Sequence, residues 1–188
     1  EFGGANRILI ALVKKDGDIF TPEFFDKLKK LSDEVFVMTG VDKPSHRSLF
    51  SPAVRFIEVV EEGFAGGNII PATFQGTPAD LEKVRENLQK SSEIGRLVTN
   101  DLKGALVRAD LLEIDPSTNK KLNYFEFAAK LEELRTKYQD DKTSVHIIGF
   151  AKAVGDISDG AKGVLVFFAF AFVVTVVLLQ LFSKNIRL

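Results

Sequence analysis

The chain contains no cysteine, no tryptophan, one methionine and two histidines among 188 residues. The lack of cysteine excludes disulfides, thiolate metal sites and cysteine nucleophiles together. It leaves the compartment open, because such a chain suits oxidising and reducing surroundings alike. His46 and His146 stand far apart in the sequence, one in a polar stretch beside Pro44 and one in an apolar run, without HExxH or an adjacent ligand cluster. No metal ligands are therefore expected. Ser-His-Asp spacing near a sharp glycine turn is also missing, so nucleophilic hydrolysis finds no support and no enzymatic activity is expected. GFAGGN at 63–68 lacks both GxGxxG spacing and a phosphate-loop lysine, so turn chemistry explains it better than a nucleotide does. No cofactor is expected.

Excess positive charge is missing as well. Of 25 basic and 26 acidic residues, only Lys184 and Arg187 lie beyond position 162, leaving 23 against 26 and a formal charge of −3 before it. A near-neutral domain of mixed signs lacks the field that binding a phosphate backbone requires, which excludes nucleic acid as a partner.

The last absence is local. From Gly163 to Phe182 the chain reads GVLVFFAFAFVVTVVLLQLF, with no charge and only Thr175 and Gln180 polar. At about 1.5 Å per residue this stretch spans roughly 30 Å, the thickness of a bilayer's hydrocarbon core. A buried helix of a soluble protein seldom stays apolar on every face for so many turns, so a transmembrane helix over 163–182 is expected. Lys184 and Arg187 follow it, whereas GDISDGAKG before it carries two acids and one lysine. Positive residues stay on the cytoplasmic side, which places residues 1–162 outside the cytoplasm and 183–188 in a cytoplasmic tail. The chain starts abruptly and stops six residues after the span, as a piece of a polytopic protein would.

Within 1–162 the pattern is α+β. RILIALVK at 7–14 reads as a buried strand, and Thr21-Pro22 as the start of a helix whose inner face carries Phe24, Phe25, Leu28, Leu31 and Val35. The stretch 46–61 reads as an extended strand interrupted at Pro52, and 61–77 as a glycine- and proline-rich connector that forms turns rather than core. Thr77-Pro78 launches a second helix through Lys90. RLVTND at 96–101 and GALVRADLLEI at 104–114 read as an antiparallel hairpin across DLKG. A third helix over 123–138 and a strand over 144–151 follow, and the segment up to 162 is compatible with a helix continuous with the span. This order suggests two β-α-β units, as in ferredoxin-like folds, followed by one transmembrane helix.

DPSTNKKLNYFE at 115–126 imitates a calcium loop, with Asp115, Ser117, Asn119, Leu122 and Glu126 at ligand-like positions. Lys120 occupies the place of the turn glycine and brings a positive charge, so a polar turn leading into a helix is the better reading. DGDIFTPEF near residue 16 keeps only a fragment of that pattern. Phenylalanine is abundant, at seventeen copies against two tyrosines, and five of them lie in the span. Phe50, Phe56, Phe64 and Phe74 are the candidates for an apolar cleft, with ordinary packing as the competing explanation. Gly160 and Gly163, where domain gives way to span, are candidate hinge residues.

FGGAN at 2–6, DIFTPEFFDKL at 18–28, SLFSPAVRFIEV at 48–59, GRLVTNDLKGALVRADL at 95–111 and VHIIGFAKAVGDISDGAKG at 145–163 together resemble the first extracytoplasmic loop and second transmembrane helix of resistance-nodulation-division (RND) exporters, of the mycobacterial-membrane-protein-large-like branch. The resemblance covers nearly the whole chain. It implies a porter-type domain in the periplasm, anchored in the bacterial inner membrane, that hands hydrophobic or lipidic substrate outward under a proton gradient. It also implies three kinds of partner: the remainder of the exporter chain, the lipid bilayer, and further copies in a homo-oligomer. The span holds no ionisable residue, so no proton-relay residue carries over. A single-span, membrane-anchored sensor domain that binds a ligand or protein is the alternative.

Overall fold

The computed structural model describes residues 6–61, 63–115 and 119–183. The FGGA residues of the first motif, residues 116–118 of the calcium-like loop, Ser117 among them, and the tail from Lys184 lie outside the described residues.

Four strands make the main sheet: β1 (Arg7–Lys14), β2 (Val41–Arg47), β5 (Gly104–Leu111) and β8 (Thr143–Gly149), in the order β2-β5-β1-β8 and antiparallel at each pairing. β1 is central because it can be: Ile8, Ile10 and Leu12 are fully buried on one face, and Leu9, Ala11 and Val13 are half-buried on the other. A strand apolar on both faces belongs between partners, not at an edge. β2 is an edge strand, and its sequence VDKPSHR shows why, since Pro44 cannot donate to a ladder and its register against β5 shifts between Asp42 and Arg47.

Helices α1 (Pro22–Val37) and α3 (Tyr124–Tyr138) cover the face that carries Ile8, Ile10 and Leu12. α1 buries Phe24, Phe25, Leu28, Leu31 and Val35, which recur at three- and four-residue steps. Burying one such side chain contributes about 1.5–3 kcal/mol. Pro22 sets the first turn, with no side-chain cap from Thr21. α2 (Pro78–Gln89) does have its cap: Thr77 accepts from the Asp80 amide and Asp80 accepts from the Thr77 amide, a reciprocal box that satisfies two orphan donors. Asn123 caps α3 by accepting from the amides of Phe125 and Glu126.

Three expectations are corrected. The extended stretch 46–61 is two strands, because the true second sheet strand is the polar Val41–Arg47, while Arg55–Val60 (β3) leaves the sheet and pairs with Gly63–Asn68 (β4). The connector 61–77 is accordingly half strand, and Ile69 and Ile70 beyond it are core. Glycine suits β4 for a steric reason: a Cβ on Gly66 would sit 2.6 Å from the Phe56 carbonyl oxygen, and one on Gly67 would sit 3.3 Å from the Phe56 ring. Third, 96–101 is no regular strand: it meets β5 across the turn through the isolated antiparallel bridge Val98–Ala105, Val98 also bridges Ile94, and Leu102 tightens the turn at φ 55°. The calcium-like loop is a small hairpin of β6 (Ile114–Asp115) and β7 (Lys120–Lys121), with Asn119 taking the positive φ of 52°. A short amide side chain tolerates that conformation well.

The fourth helix, α4 (Phe150–Ser183), runs without interruption for 34 residues. The boundary expected between 162 and 163 therefore falls inside one helix.

Candidate functional site at the root of the apolar helix

Strand β8 becomes helix α4 with no loop between them. Gly149 makes the change at φ 153°, and a Cβ there would lie 2.5 Å from the Arg7 carbonyl oxygen, so the joint requires glycine. The first turns of α4 then dock on α3. Phe150 stacks edge-on against Tyr124 at 5.4 Å, Tyr124 donates to Asn6 at 3.0 Å, and Ala151 is fully buried. Gly155 lies against Ala128 so closely that a Cβ would approach the Ala128 methyl to 2.5 Å. Lys152 is nearly buried between Glu132, at 2.8 Å, and Asp156. A cavity of about 100 Å³ remains between the two helices, bordered by Phe125, Ala129 and Asp156.

Past this root the surroundings change. Every large apolar residue from Val164 to Phe182 is exposed, and none of the most apolar window is covered by the rest of the chain. Thr175 satisfies its hydroxyl internally by donating to the Ala171 carbonyl at 2.9 Å. Among the described residues, this is the one helix long and apolar enough to cross a membrane. Gly160 and Gly163 are exposed, and beyond their own stretch of helix backbone nothing lies within 4 Å of where a Cβ would be.

The four phenylalanines separate into two pairs. Phe50 and Phe74 are half-buried and meet the ring of Phe25 at 6.4 and 5.5 Å, at the margin of the core. Phe56 and Phe64 lie on the β3-β4 hairpin, but on opposite faces. Phe56 faces the Lys90 ammonium at 5.8 Å and shares its side with Glu58, which Lys90 binds at 2.7 Å. Phe64 stands opposite Val59, and with Ile57 they form an apolar strip on the other side, at 83%, 81% and 70% exposure. The strip is the hairpin's unpartnered face.

A buried polar group escaped the sequence reading. His46 lies in β2, not in a loop, and is 8% exposed. Its Nε2 meets the Ser32 hydroxyl at 3.3 Å and its Nδ1 the Ser51 hydroxyl at 3.4 Å. Ser48, fully buried, ties the set together through Ser32 at 2.7 Å and its own amide, which donates to Ser51 at 2.9 Å. Phe36 closes the site edge-on at 5.4 Å. Burial holds the imidazole pKa below its ordinary value, helped by the nearby Arg47 charge and opposed by the Ser32 contact and Asp33. Ser48 and Ser51, close after His46, are the local part of the signal that could have found it, whereas Ser32 comes from α1. The hydroxyls here bond one another and the backbone, an arrangement that fixes β2 and the turn after it. Among the described residues, no group of three or more His, Asp or Glu is placed to hold a metal ion.

Comparison with protein-family models and with curated proteins finds no match to this chain.

Proposed function

We propose that the chain is a porter-type extracytoplasmic domain, with its following transmembrane helix, of an RND-type exporter of hydrophobic or lipidic substrates. The observation that carries the reading is the uninterrupted passage from the last sheet strand into an exposed apolar helix, which needs hydrocarbon around it. The sheet supports it. In the sheet order β2-β5-β1-β8, the strands of β1-α1-β2 and of β5-α3-β8 each receive one strand of the other unit between them, which supports a ferredoxin-like reading. In this reading Lys184 and Arg187 keep the tail in the cytoplasm of a bacterial inner membrane, and the sheet domain works on the periplasmic side. The domain contributes geometry, not chemistry, and the proton coupling belongs to other parts of the transporter, since the span has no ionisable group. The strip of Ile57, Val59 and Phe64 is where an apolar substrate would find exposed contact area.

The test uses single cysteines introduced into this segment, which has none of its own, in an intact gene whose other cysteines are first replaced. A membrane-impermeant maleimide added to whole cells with a permeable outer envelope labels Asn100→Cys, and labels Ser183→Cys only after the inner membrane is opened. Phe172→Arg, at a cost of about 2.5–3.5 kcal/mol for a charge at mid-span, depletes the chain from the carbonate-washed membrane fraction. Replacing Gly160 and Gly163 with leucine lowers export at unchanged abundance. A chain that washes off membranes without detergent, or labelling of Ser183→Cys from outside, overturns the proposal.

A further inference from the structure

Six of the seven arginines of the sheet domain fall into two groups, and the seventh, Arg55, is exposed at the start of β3. Arg7, Arg85 and Arg135 each have a carboxylate partner, at 2.6, 2.7 and 3.3 Å. Arg47, Arg96 and Arg108 instead converge on one cavity of about 90 Å³, and among the described residues none of them takes a carboxylate partner. The cavity lies at the end of β2, between the sheet edge and the 93–97 turn, with Val54 and Leu97 as its apolar floor and Glu93 as its single acid.

The fold holds these groups in place. Arg47 and Arg108 are direct cross-strand partners in the β2-β5 ladder, on the sheet face opposite the core residues Val107 and Ala109. Arg47 donates Nη1 to the carbonyls of Pro44 and His46, at 2.8 and 2.9 Å, which anchors its guanidinium and leaves the remaining donors free. Arg96 rides on a turn whose Glu93 carbonyl accepts the amides of Arg96, Leu97 and Val98, and Gly95 supplies the positive φ of 82° that the turn needs. The turn is stitched to β5 by the Leu106 amide donating to Leu97 at 2.8 Å.

Like charges directly opposite on adjacent strands destabilise a sheet. Three unpaired guanidiniums about one small cavity repeat that penalty, and one carboxylate leaves a net charge of about +2 there by formal charge at neutral pH. An anion reverses the sign of every one of those interactions. Guanidinium presents a fixed fork of donors that fits tetrahedral and planar oxyanions two bonds at a time. At about 90 Å³, the cavity has room for several waters or for a phosphate group.

We propose that Arg47, Arg96 and Arg108 form a binding site for one phosphate group, supplied either by free phosphate or by a phospholipid headgroup. Glu93 tempers the field and keeps the site from holding its ligand irreversibly. The site is independent of how α4 is anchored, so its failure and that of the exporter reading are separate results.

The test uses the full chain in neutral detergent. Inorganic phosphate is titrated against chloride at matched ionic strength, and melting temperature and NMR shifts of the arginine side chains are followed. Vesicles of neutral lipid with and without an anionic phosphomonoester lipid form the second arm. Saturable stabilisation by phosphate but not chloride assigns a free anion; stabilisation only by the phosphomonoester vesicles assigns a headgroup; both support the site. Arg108→Gln removes the opposed charges, so it melts at or above the parent temperature without phosphate, yet weakens phosphate binding at least tenfold. Glu93→Gln binds more tightly. Equal responses to phosphate and chloride with no preference for the phosphomonoester vesicles, or binding unchanged in both Arg108→Gln and Arg47→Gln, overturn the proposal.

Discussion

Helix α3 hides Phe127, Ala128, Leu131, Leu134 and Tyr138 and turns its charged residues to water, whereas α4, which packs against it at the root, shows apolar side chains on every side from Val164 to Phe182. Both are long helices, α3 built largely of good helix formers and α4 rich in valine and phenylalanine, and they touch. The difference lies in where each finds an apolar environment. α3 finds it in the sheet, so its stability is tied to the cooperative folding of the domain. α4 finds it only in its first turns, at Ala151 and Gly155, and the remaining length depends on a solvent that the chain does not provide.

The sharpest way to break this comparison is to truncate a large apolar residue in each region. Phe25→Ala and Leu131→Ala each cost about 2–5 kcal/mol, the price of a cavity in a packed core. Phe167→Ala changes domain stability by less than about 0.5 kcal/mol. Denaturant unfolding of the chain in neutral detergent measures all three, and an equal cost at Phe167 would mean that protein rather than lipid covers α4.

A smaller effect separates the root of α4 from its far part. Gly155→Val forces a methyl into the Ala128 contact and costs about 1–3 kcal/mol of overpacking. The same change at Gly163, with open space around it, leaves the denaturation midpoint in place. Equal midpoints for the two variants would show that α4 is not docked on α3.

The smallest effect is a pH slope that belongs to the domain alone. His46 binds its proton more weakly in the folded state than in the unfolded chain, whose imidazole titrates near about 6.5. Below that pH the unfolded state takes up a proton that the native state refuses, so stability falls as pH drops from 7 toward 5. Asp140 is depressed to about 2 by Lys27 and by amides of its own turn, against the opposing effect of burial. Its contribution is lost only below about 3.8, where the unfolded carboxylate protonates, outside that window. Unfolding midpoints at pH 7, 6 and 5 therefore decline in the parent and flatten in His46→Gln, while partition of the chain into membranes stays constant.

Pattern and punctuation made the strong elements legible: β1 with its run of branched residues, α1 and α2 with their proline starts, α3 over 123–138, and the apolar length of α4. It misled where polarity and role part company. VDKPSHR is too charged to read as a sheet strand, yet an edge position forgives Pro44, and the His46-serine network satisfies the buried polar atoms. RFIEVV is more strand-like and was free to leave the sheet, because its partner GFAGGN offers backbone and little side chain. The joint at Gly149 was equally hidden, since a glycine between an apolar strand and an apolar helix reads as an interruption in neither. The arginine cavity is assembled from residues 47, 96 and 108, and no local window contains it.

That single-residue joint sets how the molecule can transmit force. A rod of 34 residues is about 50 Å long, and Gly149 fastens it to β8 with no slack to absorb a twist. Tilting the rod by about 10° swings its tip by roughly 9 Å at that length. Because β8 lies beside the central strand, the same torque loads the middle of the sheet through the β1 ladder instead of being dissipated in a flexible tether.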